Sequence, residues 1–468
     1  MNSFSQQPLR VGMLVTLLAG AVLASGCAGP QAFEAENVAL PQLNSQQAQL
    51  IRDAGELQRQ WWQQLGSPVL DRLMDEASID NIDLRQAVLR LQQTQVALKQ
   101  ENADRWPTLS AKASASQNKQ LDAGSGWQSG TGLSLTASYT VDLWSRRATL
   151  IEQAELDVVA AELDLASARI TLQANLATQY LQWLALQSRL ELAQQNLQAS
   201  QALEELVQVR FEAGDASGIE VAQQRNTTLS LQGSLMSLQQ EVAASQRALA
   251  ALLGKTDLKL DLGHEHFDAI RIPQSADVQP ARLLKQRPDL LSAELALRQR
   301  HQDIYLAESD RWPSLSLSAG LSPVDLLSLA GDWTLALGEA LSVTLFDGGS
   351  SKADVDNARL EAQLARLDYR SAVISAMQEV LDALEAVDYE KRQTVLAQDT
   401  LQNNEHLLEL AQLRYDSGDT DFSDLLDAQR SFFSARDSLV SQRLSQLDSL
   451  LDLYAALGEP PVVASREN

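Results

Sequence analysis

The chain is written twice, and that duplication limits its fold more than any other feature. Asp104-Arg105-Trp106-Pro107 recurs as Asp310-Arg311-Trp312-Pro313, and Arg210-Phe211-Glu212-Ala213-Gly214-Asp215 recurs as Arg414-Tyr415-Asp416-Ser417-Gly418-Asp419. Leu252-Leu253-Gly254 and Ala456-Leu457-Gly458 follow in the same order. The offset holds at about 205 residues, so whatever one half builds, the other builds again.

Each half opens on a helical pattern, Val69 to Trp106 and Leu283 to Trp312, stopped by Pro107 or Pro313 because a residue before proline is pushed to extended backbone. Alternation of period two follows. Leu109, Ala111, Ala113 and Ala115 alternate with Ser110, Lys112, Ser114 and Ser116; Leu133, Leu135, Ala137, Tyr139 and Val141 return. In the second half Leu315, Leu317, Ala319 and Leu321 are answered by Trp333, Leu335, Leu337, Leu341, Val343 and Leu345, with Glu339 interrupting. Each run predicts a strand, and each pair a hairpin.

Long stretches without Gly or Pro come next, Ala148 to Ala213 and Ser350 to Ser417. Apolar residues recur there at spacings of three and four, as in Leu360, Leu364, Leu367, Ile374, Met377, Leu381 and Leu384. An unbroken helix of this length would run on the order of 100 Å. Gly214 and Gly418 stand where a left-handed C-terminal cap is expected. Ser217-Gly218-Ile219-Glu220 then reads as a capping box, and Asp421-Phe422-Ser423-Asp424 as an acidic version of it. Each half therefore predicts a strand hairpin at one end and a tight helical hairpin at the other.

The charge balance, 37 basic against 61 acidic residues for a net of -24, argues against nucleic acid as a partner. No apolar run long enough for a membrane-spanning helix occurs after residue 30, so contact with a bilayer must come from strands or a lipid. Residues 1–26 read as a secretion signal: Arg10, an apolar core from Val11 to Leu23, and the small Ala24-Ser25-Gly26. Cys27, the sole cysteine, follows at once. The stretch resembles a bacterial lipoprotein signal, although Leu23 lies four residues before the cysteine where three is usual, and a covalent lipid on Cys27 is the expected modification. Ala28 in the next position points to the outer membrane.

Two hairpins supply four strands, too few to close a barrel, and open edges cannot face hydrocarbon. Closure requires several chains. Strands of about ten residues suit a bilayer when tilted, and three copies would supply twelve, enough to enclose a pore.

The motifs resemble those of the TolC and OprM type outer-membrane efflux proteins over nearly the whole mature chain. They are Arg287-Pro288-Asp289-Leu290 with Ala293-Glu294, Leu345-Phe346-Asp347-Gly348-Gly349, the paired turns at Gly214 and Gly418, and above all Leu425-Leu426-Asp427-Ala428-Gln429-Arg430. The resemblance implies a mainly α chain with a transmembrane β-barrel. It forms a homotrimer whose 12-stranded outer-membrane barrel continues into a long periplasmic α-helical barrel. It implies no catalysis and no cofactor beyond the lipid on Cys27. The implied partners are outer-membrane lipid, a periplasmic adaptor and an inner-membrane transporter of the resistance-nodulation-division type. Adaptor-facing tips would comprise Arg210, Phe211, Gly214, Ser217, Arg414, Tyr415 and Gly418. Asp424 and Asp427 match the family positions lining a periplasmic constriction, while Asp421 is read as a helix cap and Glu220 as the partner carboxylate of a lock. The lock arginine itself is replaced by Thr420.

These readings divide the chain into a signal (1–26), a lipid-anchored N-terminal and collar segment (27–68), helices of the first repeat (69–106), hairpin 1 (107–144), helical hairpin 1 (145–254), an inter-repeat linker (255–282), a helix of the second repeat (283–312), hairpin 2 (313–346), helical hairpin 2 (347–458) and a tail (459–468). The expected function is the exit duct of a tripartite efflux pump conducting small molecules. A duct for protein secretion and a coiled-coil envelope scaffold are the alternatives. His264-Glu265-His266 offers no third metal ligand nearby and reads as a surface loop. Trp61 and Trp62 are expected to anchor the N-terminal segment against a collar.

Overall fold

A computed structural model of the chain describes residues 61–119, 127–256, 265–272, 287–323 and 333–458. The signal, Cys27, His264, most of the inter-repeat linker and the C-terminal tail lie outside the described residues.

The elements run in two matched sets. The first comprises α1 (Pro68–Asp80), α2 (Ile82–Ala103), β1 (Thr108–Lys119), β2 (Trp127–Val141), α3 (Arg146–Ala213) and α4 (Gly218–Leu252). The second comprises α5 (Pro288–Ser309), β3 (Ser314–Pro323), β4 (Trp333–Ser342), α6 (Ser350–Asp416) and α7 (Phe422–Leu457). The uninterrupted helices α3 and α6 span 68 and 67 residues.

The helix expected from Val69 to Trp106 is instead two. Asn81 breaks it with φ -59° and ψ 130°, its backbone N–H closing α1 on the Ala77 carbonyl while its side chain caps α2. The Asn81 Oδ1 accepts from the Leu84 N–H at 2.9 Å and its Nδ2 donates to the Leu252 carbonyl at 2.8 Å. The end of α4 thus seats in the corner between α1 and α2. Gly254, at φ 68°, is needed there, because a Cβ would lie 2.5 Å from the Asp80 carbonyl oxygen.

By contacts the chain forms two compact units. The first holds Gln93–Val159 and Leu295–Leu367 and contains the sheet. Among the described residues four strands pair antiparallel in chain order, so that β2 and β3 join the two repeats and β1 and β4 are edges. In register, Leu109, Ala137, Ala319 and Leu337 form one row, and Ala111, Leu135, Leu321 and Leu335 the next. Period-two alternation therefore collects the apolar residues on one face, and puts Ser, Thr and Gly on the other. β4 stays regular through Glu339 but ends at Ser342, so Val343 and Leu345 lie beyond the strand, with Leu345 91% exposed. At the helix-proximal strand ends, Trp144 donates to the Pro313 carbonyl at 2.7 Å and packs on Trp312 at 5.2 Å between ring centroids.

The second unit holds the described parts of Asn37–Gln92, Ala160–Glu294 and Asp368–Asn468. Its core gathers Leu176, Tyr180 and Leu184 of α3, Leu249 of α4, Leu447 and Leu451 of α7, and Leu70 and Leu73 of α1. Trp61 and Trp62 belong to this core, Trp61 stacking on Tyr454 at 5.2 Å. The His264-Glu265-His266 reading is corrected only in part: His266 is exposed and His264 lies outside the described residues, but the stretch from Glu265 to Ile270 is fastened to the core. Phe267 and Ile270 are 1% and 2% exposed, and the Glu265 Oε2 accepts from the Tyr180 hydroxyl at 2.6 Å and from the Ser67 hydroxyl at 2.5 Å. Burial of two large apolar side chains and a twice-bonded carboxylate holds this segment against the core.

The stripe expected on α6 is not one buried seam. Val373, Met377, Val380 and Leu384 are buried, whereas Leu360, Leu364, Leu367 and Ile374 are each 55–60% exposed.

Candidate functional site at the helical turns

The two turns, between α3 and α4 and between α6 and α7, are copies in geometry as in sequence. In the first, Gly214 (φ 86°) follows the last helical turn, its N–H donating to the Phe211 carbonyl while the Asp215 N–H reaches back to that of Arg210 at 2.8 Å. In the second, Gly418 (φ 76°) and Asp419 repeat this with Tyr415 and Arg414, again at 2.8 Å for the longer reach. Left-handed backbone at this position spends the last helical carbonyls on local donors and reverses the chain.

The returning helices start differently. Ser217 and Glu220 form a complete capping box: the Ser217 Oγ accepts from the Glu220 N–H at 3.3 Å, and the Ser217 N–H donates to Glu220 Oε1 at 3.3 Å. Asp421 occupies the equivalent cap position of α7 but its side chain makes no capping bond, contrary to the expectation. Asp424 takes the nearby hydroxyl instead, accepting from Thr420. A carboxylate in the first turn still gains from the helix dipole.

Glu220 and Tyr415 tie the two turns together. The Tyr415 hydroxyl donates to Glu220 Oε2 at 3.5 Å, and the Arg210 guanidinium lies 4.9 Å above the Tyr415 ring. Burial, with Glu220's charge opposed by Arg210's, pushes the Tyr415 phenol up from its ordinary value, so it remains a donor at neutral pH. Beneath it Val207, Tyr415, Phe422, Leu425 and Leu426 form a small apolar core shared by both hairpins. Arg414 is not part of the tie; it donates to the Asp419 carbonyl of its own turn. Phe211 is 45% exposed.

Asp421, Asp424 and Asp427 share the exposed side of α7, while Leu425, Leu426, Ala428 and Gln429 are buried on the other. Spacing by three places all three carboxylates on one stripe. Two partners were missed from the sequence. Arg430 lies 3.7 Å from Asp427 and donates to the Thr227 hydroxyl of α4 at 3.0 Å, so it bridges the hairpins while offsetting one acidic charge. The three-residue step from Asp427 to Arg430 was visible; Thr227, two hundred residues away in the chain, was not.

With this geometry in place the relatives are informative. The model of the outer membrane efflux protein family matches residues 73–255 and 280–459. The pyoverdine export outer membrane protein OpmQ of Pseudomonas aeruginosa is 31% identical over 95% of this chain and 96% of its own length. The toluene efflux pump outer membrane protein TtgC of Pseudomonas putida is 31% identical over 87% of this chain and 86% of its own. Among solved structures the outer-membrane channel OprN superposes with a TM-score of 0.83 at 25% identity, covering 93% of this chain and 99% of that one. The transmembrane channel CusC follows at 0.82 and 26%, covering 92% and 99%. A family match in both repeats, relatives matched along nearly their whole length and a shared fold lead to one conclusion: the chain belongs to the outer membrane efflux protein family, whose members are channels of the Gram-negative outer membrane.

Proposed function

We propose that three copies of this chain close a duct through the outer membrane and carry small molecules outward, without catalysis, from a periplasmic adaptor and an inner-membrane transporter of the resistance-nodulation-division type. The carrying observation is the sheet: four strands with two open edges, one apolar face and one face of Ser, Thr and Gly. Such a sheet is stable in hydrocarbon only when further copies pair its edges. Exposed Leu360, Leu364, Leu367 and Ile374 supply apolar surface for those copies. Exposed Val209, Phe211, Ile219 and Leu413 around the turns supply surface for the adaptor. A lipid on Cys27 fits the same placement, and fatty-acid label is expected in the native chain and absent from Cys27→Ser; label retained in that variant overturns the modification.

In this reading Asp424 and Asp427 line the inner end of the duct. Each lies on the exposed stripe of α7, and three copies would bring their carboxylates around one axis, where they attract cations. Arg430 beside Asp427 reduces that charge without cancelling it. Single-channel recording in planar bilayers tests both parts. The native protein is expected to conduct, with cation preference and block by divalent cations; the Asp424→Asn, Asp427→Asn double variant is expected to conduct with both weakened, block by about tenfold if one site of two charges is lost. No conductance at all would favour a structural scaffold, and native block in the double variant would remove these residues from the constriction.

A further inference from the structure

Among the described residues the apolar face of the sheet carries one charged residue away from its outer end. The rows that three or more strands share are Leu, Ala, Val and Tyr, except at Glu339, which register sets beside Leu317 and, one strand further, Tyr139. Lys119 also lies on this side, but at the far end of β1, over the ring of Trp127. Glu339 lies three residues before the helix-proximal end of β4 at Ser342, about 10 Å at the usual rise per residue. Trp144 and Trp312 cluster at the foot of the same strands. Amphipathic rings of this kind settle at the boundary between hydrocarbon and headgroups. A carboxylate at that depth meets headgroup atoms, not chain midpoints.

A groove of about 620 Å³ opens at this point. Its floor is made by Ala137 and Ala319, which pair across β2 and β3, and its walls by Tyr139, Leu317 and Leu337, with Glu339 at the end nearest the sheet edge. Small residues in one row flanked by large ones leave a channel the width of a hydrocarbon chain. Glu339 and Tyr139 stand in one row two strands apart, about 10 Å between backbones. The groove thus offers an apolar bed, an anionic acceptor and a phenolic donor.

We propose that this groove holds a phospholipid with a primary ammonium headgroup from the inner leaflet of the outer membrane. Its ammonium donates to the Glu339 carboxylate, its phosphate accepts from the Tyr139 hydroxyl, and one acyl chain lies over Ala137 and Ala319. A phosphoglycerol headgroup presents net negative charge to Glu339 and is disfavoured. A quaternary ammonium keeps the charge but has no N–H to donate, and loses the charge-assisted hydrogen bond.

The site rests on the sheet lying in the outer membrane and not on conduction, so conductance measured on the same samples separates failure of the lipid site from failure of the duct. The test uses full-length protein purified in detergent. It is mixed with equal amounts of ethanolamine-, choline- and glycerol-headgroup phospholipids of identical acyl chains, and native mass spectrometry counts the lipids retained. The native protein is expected to retain the ethanolamine lipid about five-fold over the other two, the scale of one charge-assisted hydrogen bond at a partly dry surface. Glu339→Gln is expected to bring the ethanolamine and choline lipids to parity. Ala319→Phe, which fills the floor and leaves the carboxylate, is expected to lower retention of all three. Should Glu339→Gln not assemble, the headgroup comparison on native protein together with Ala319→Phe decides. Equal retention by native protein, or a preference unchanged in both variants, overturns the proposal; oligomers that loosen in Glu339→Gln with no headgroup preference in native protein would assign Glu339 to pairing between copies.

Discussion

Arg287→Ala is expected to destabilise the helical unit by about 3 kcal/mol, the scale for removing one partner from a buried ionic group. The Arg287 side chain is 10% exposed and three acceptors converge on it: Asp289 at 2.7 Å, Glu379 of α6 at 2.7 Å and the Ala456 carbonyl in the last turn of α7 at 2.8 Å. Removing the guanidinium leaves that carbonyl without its donor and two carboxylates facing each other. Because those carboxylates are 53% and 55% exposed, water recovers part of the loss, which is why the estimate sits at the low end of its class. Gly458, at φ 70°, passes so close that a Cβ there would come within 2.9 Å of Arg287 Cγ, so the end of α7 packs directly on the arginine's stem. Arg287→Lys keeps the charge but not the planar fork and should recover only part of the stability.

The same variant has a pH signature. Burial raises Asp289, but its hydrogen bonds and ion pair with Arg287 outweigh that and hold its carboxyl below the ordinary 3.8. A depressed folded-state value contributes stability above 3.8 that is lost as the pH falls through it. The gap between native protein and Arg287→Ala should therefore narrow in acid, below about pH 4. Loss of helical circular dichroism on heating, followed at pH 7 and pH 3, measures this; an unchanged melting temperature at pH 7 would refute the anchor.

The second large effect has the opposite sign. Asp448 of α7 is pushed up to about 7, first by burial and then by the charge of Asp452 one turn on, itself raised by burial. The buried Oδ1 of Asp448 has no hydrogen-bond partner among the described residues. A raised carboxyl binds its proton more tightly folded than unfolded, so its contribution is full below about pH 4 and declines as the pH rises through about 7. Asp448→Asn keeps the shape and removes the ionisation. It should raise stability at pH 8 by roughly 2 kcal/mol, below the full linkage value because the group is partly hydrated, and change little at pH 4. Melting curves at those two values check it. Equal shifts at both would show that a neutral side chain, not the proton, matters there.

Much of this architecture can be read from local chemistry. Pro107 and Pro313 end helices wherever they stand, and Gly214 and Gly418 permit the left-handed backbone that reverses a helix. Period-two alternation in Leu109 to Ala115 and Leu315 to Leu321 assigns faces before any pairing is known. Duplication then doubles each inference. The carboxylate stripe of Asp421, Asp424 and Asp427 is legible for the same reason, since spacing by three fixes a helical face.

What failed were judgements that depend on distant partners. Asn81 breaks a helix because the end of α4, far along the chain, presents the Leu252 carbonyl to its amide. Glu265 looked like one arm of an exposed His-Glu-His loop, yet Tyr180 and Ser67 draw it onto the core. Asp421 has the composition of a cap and the position of one, but its backbone carbonyl, not its carboxylate, takes the Asp424 N–H.

Propensity, capping and periodicity act within a few residues, and so the repeat, the type and limits of most elements, the two-faced sheet and the acidic stripe are all legible along the chain. Packing settles which strands are edges, that Glu220, Tyr415 and Arg210 meet, that Arg430 crosses to Thr227, and that Glu339 closes a groove. Those contacts join residues separated by tens to hundreds of positions. Whether they form depends on how helices and strands pack, which no local pattern encodes.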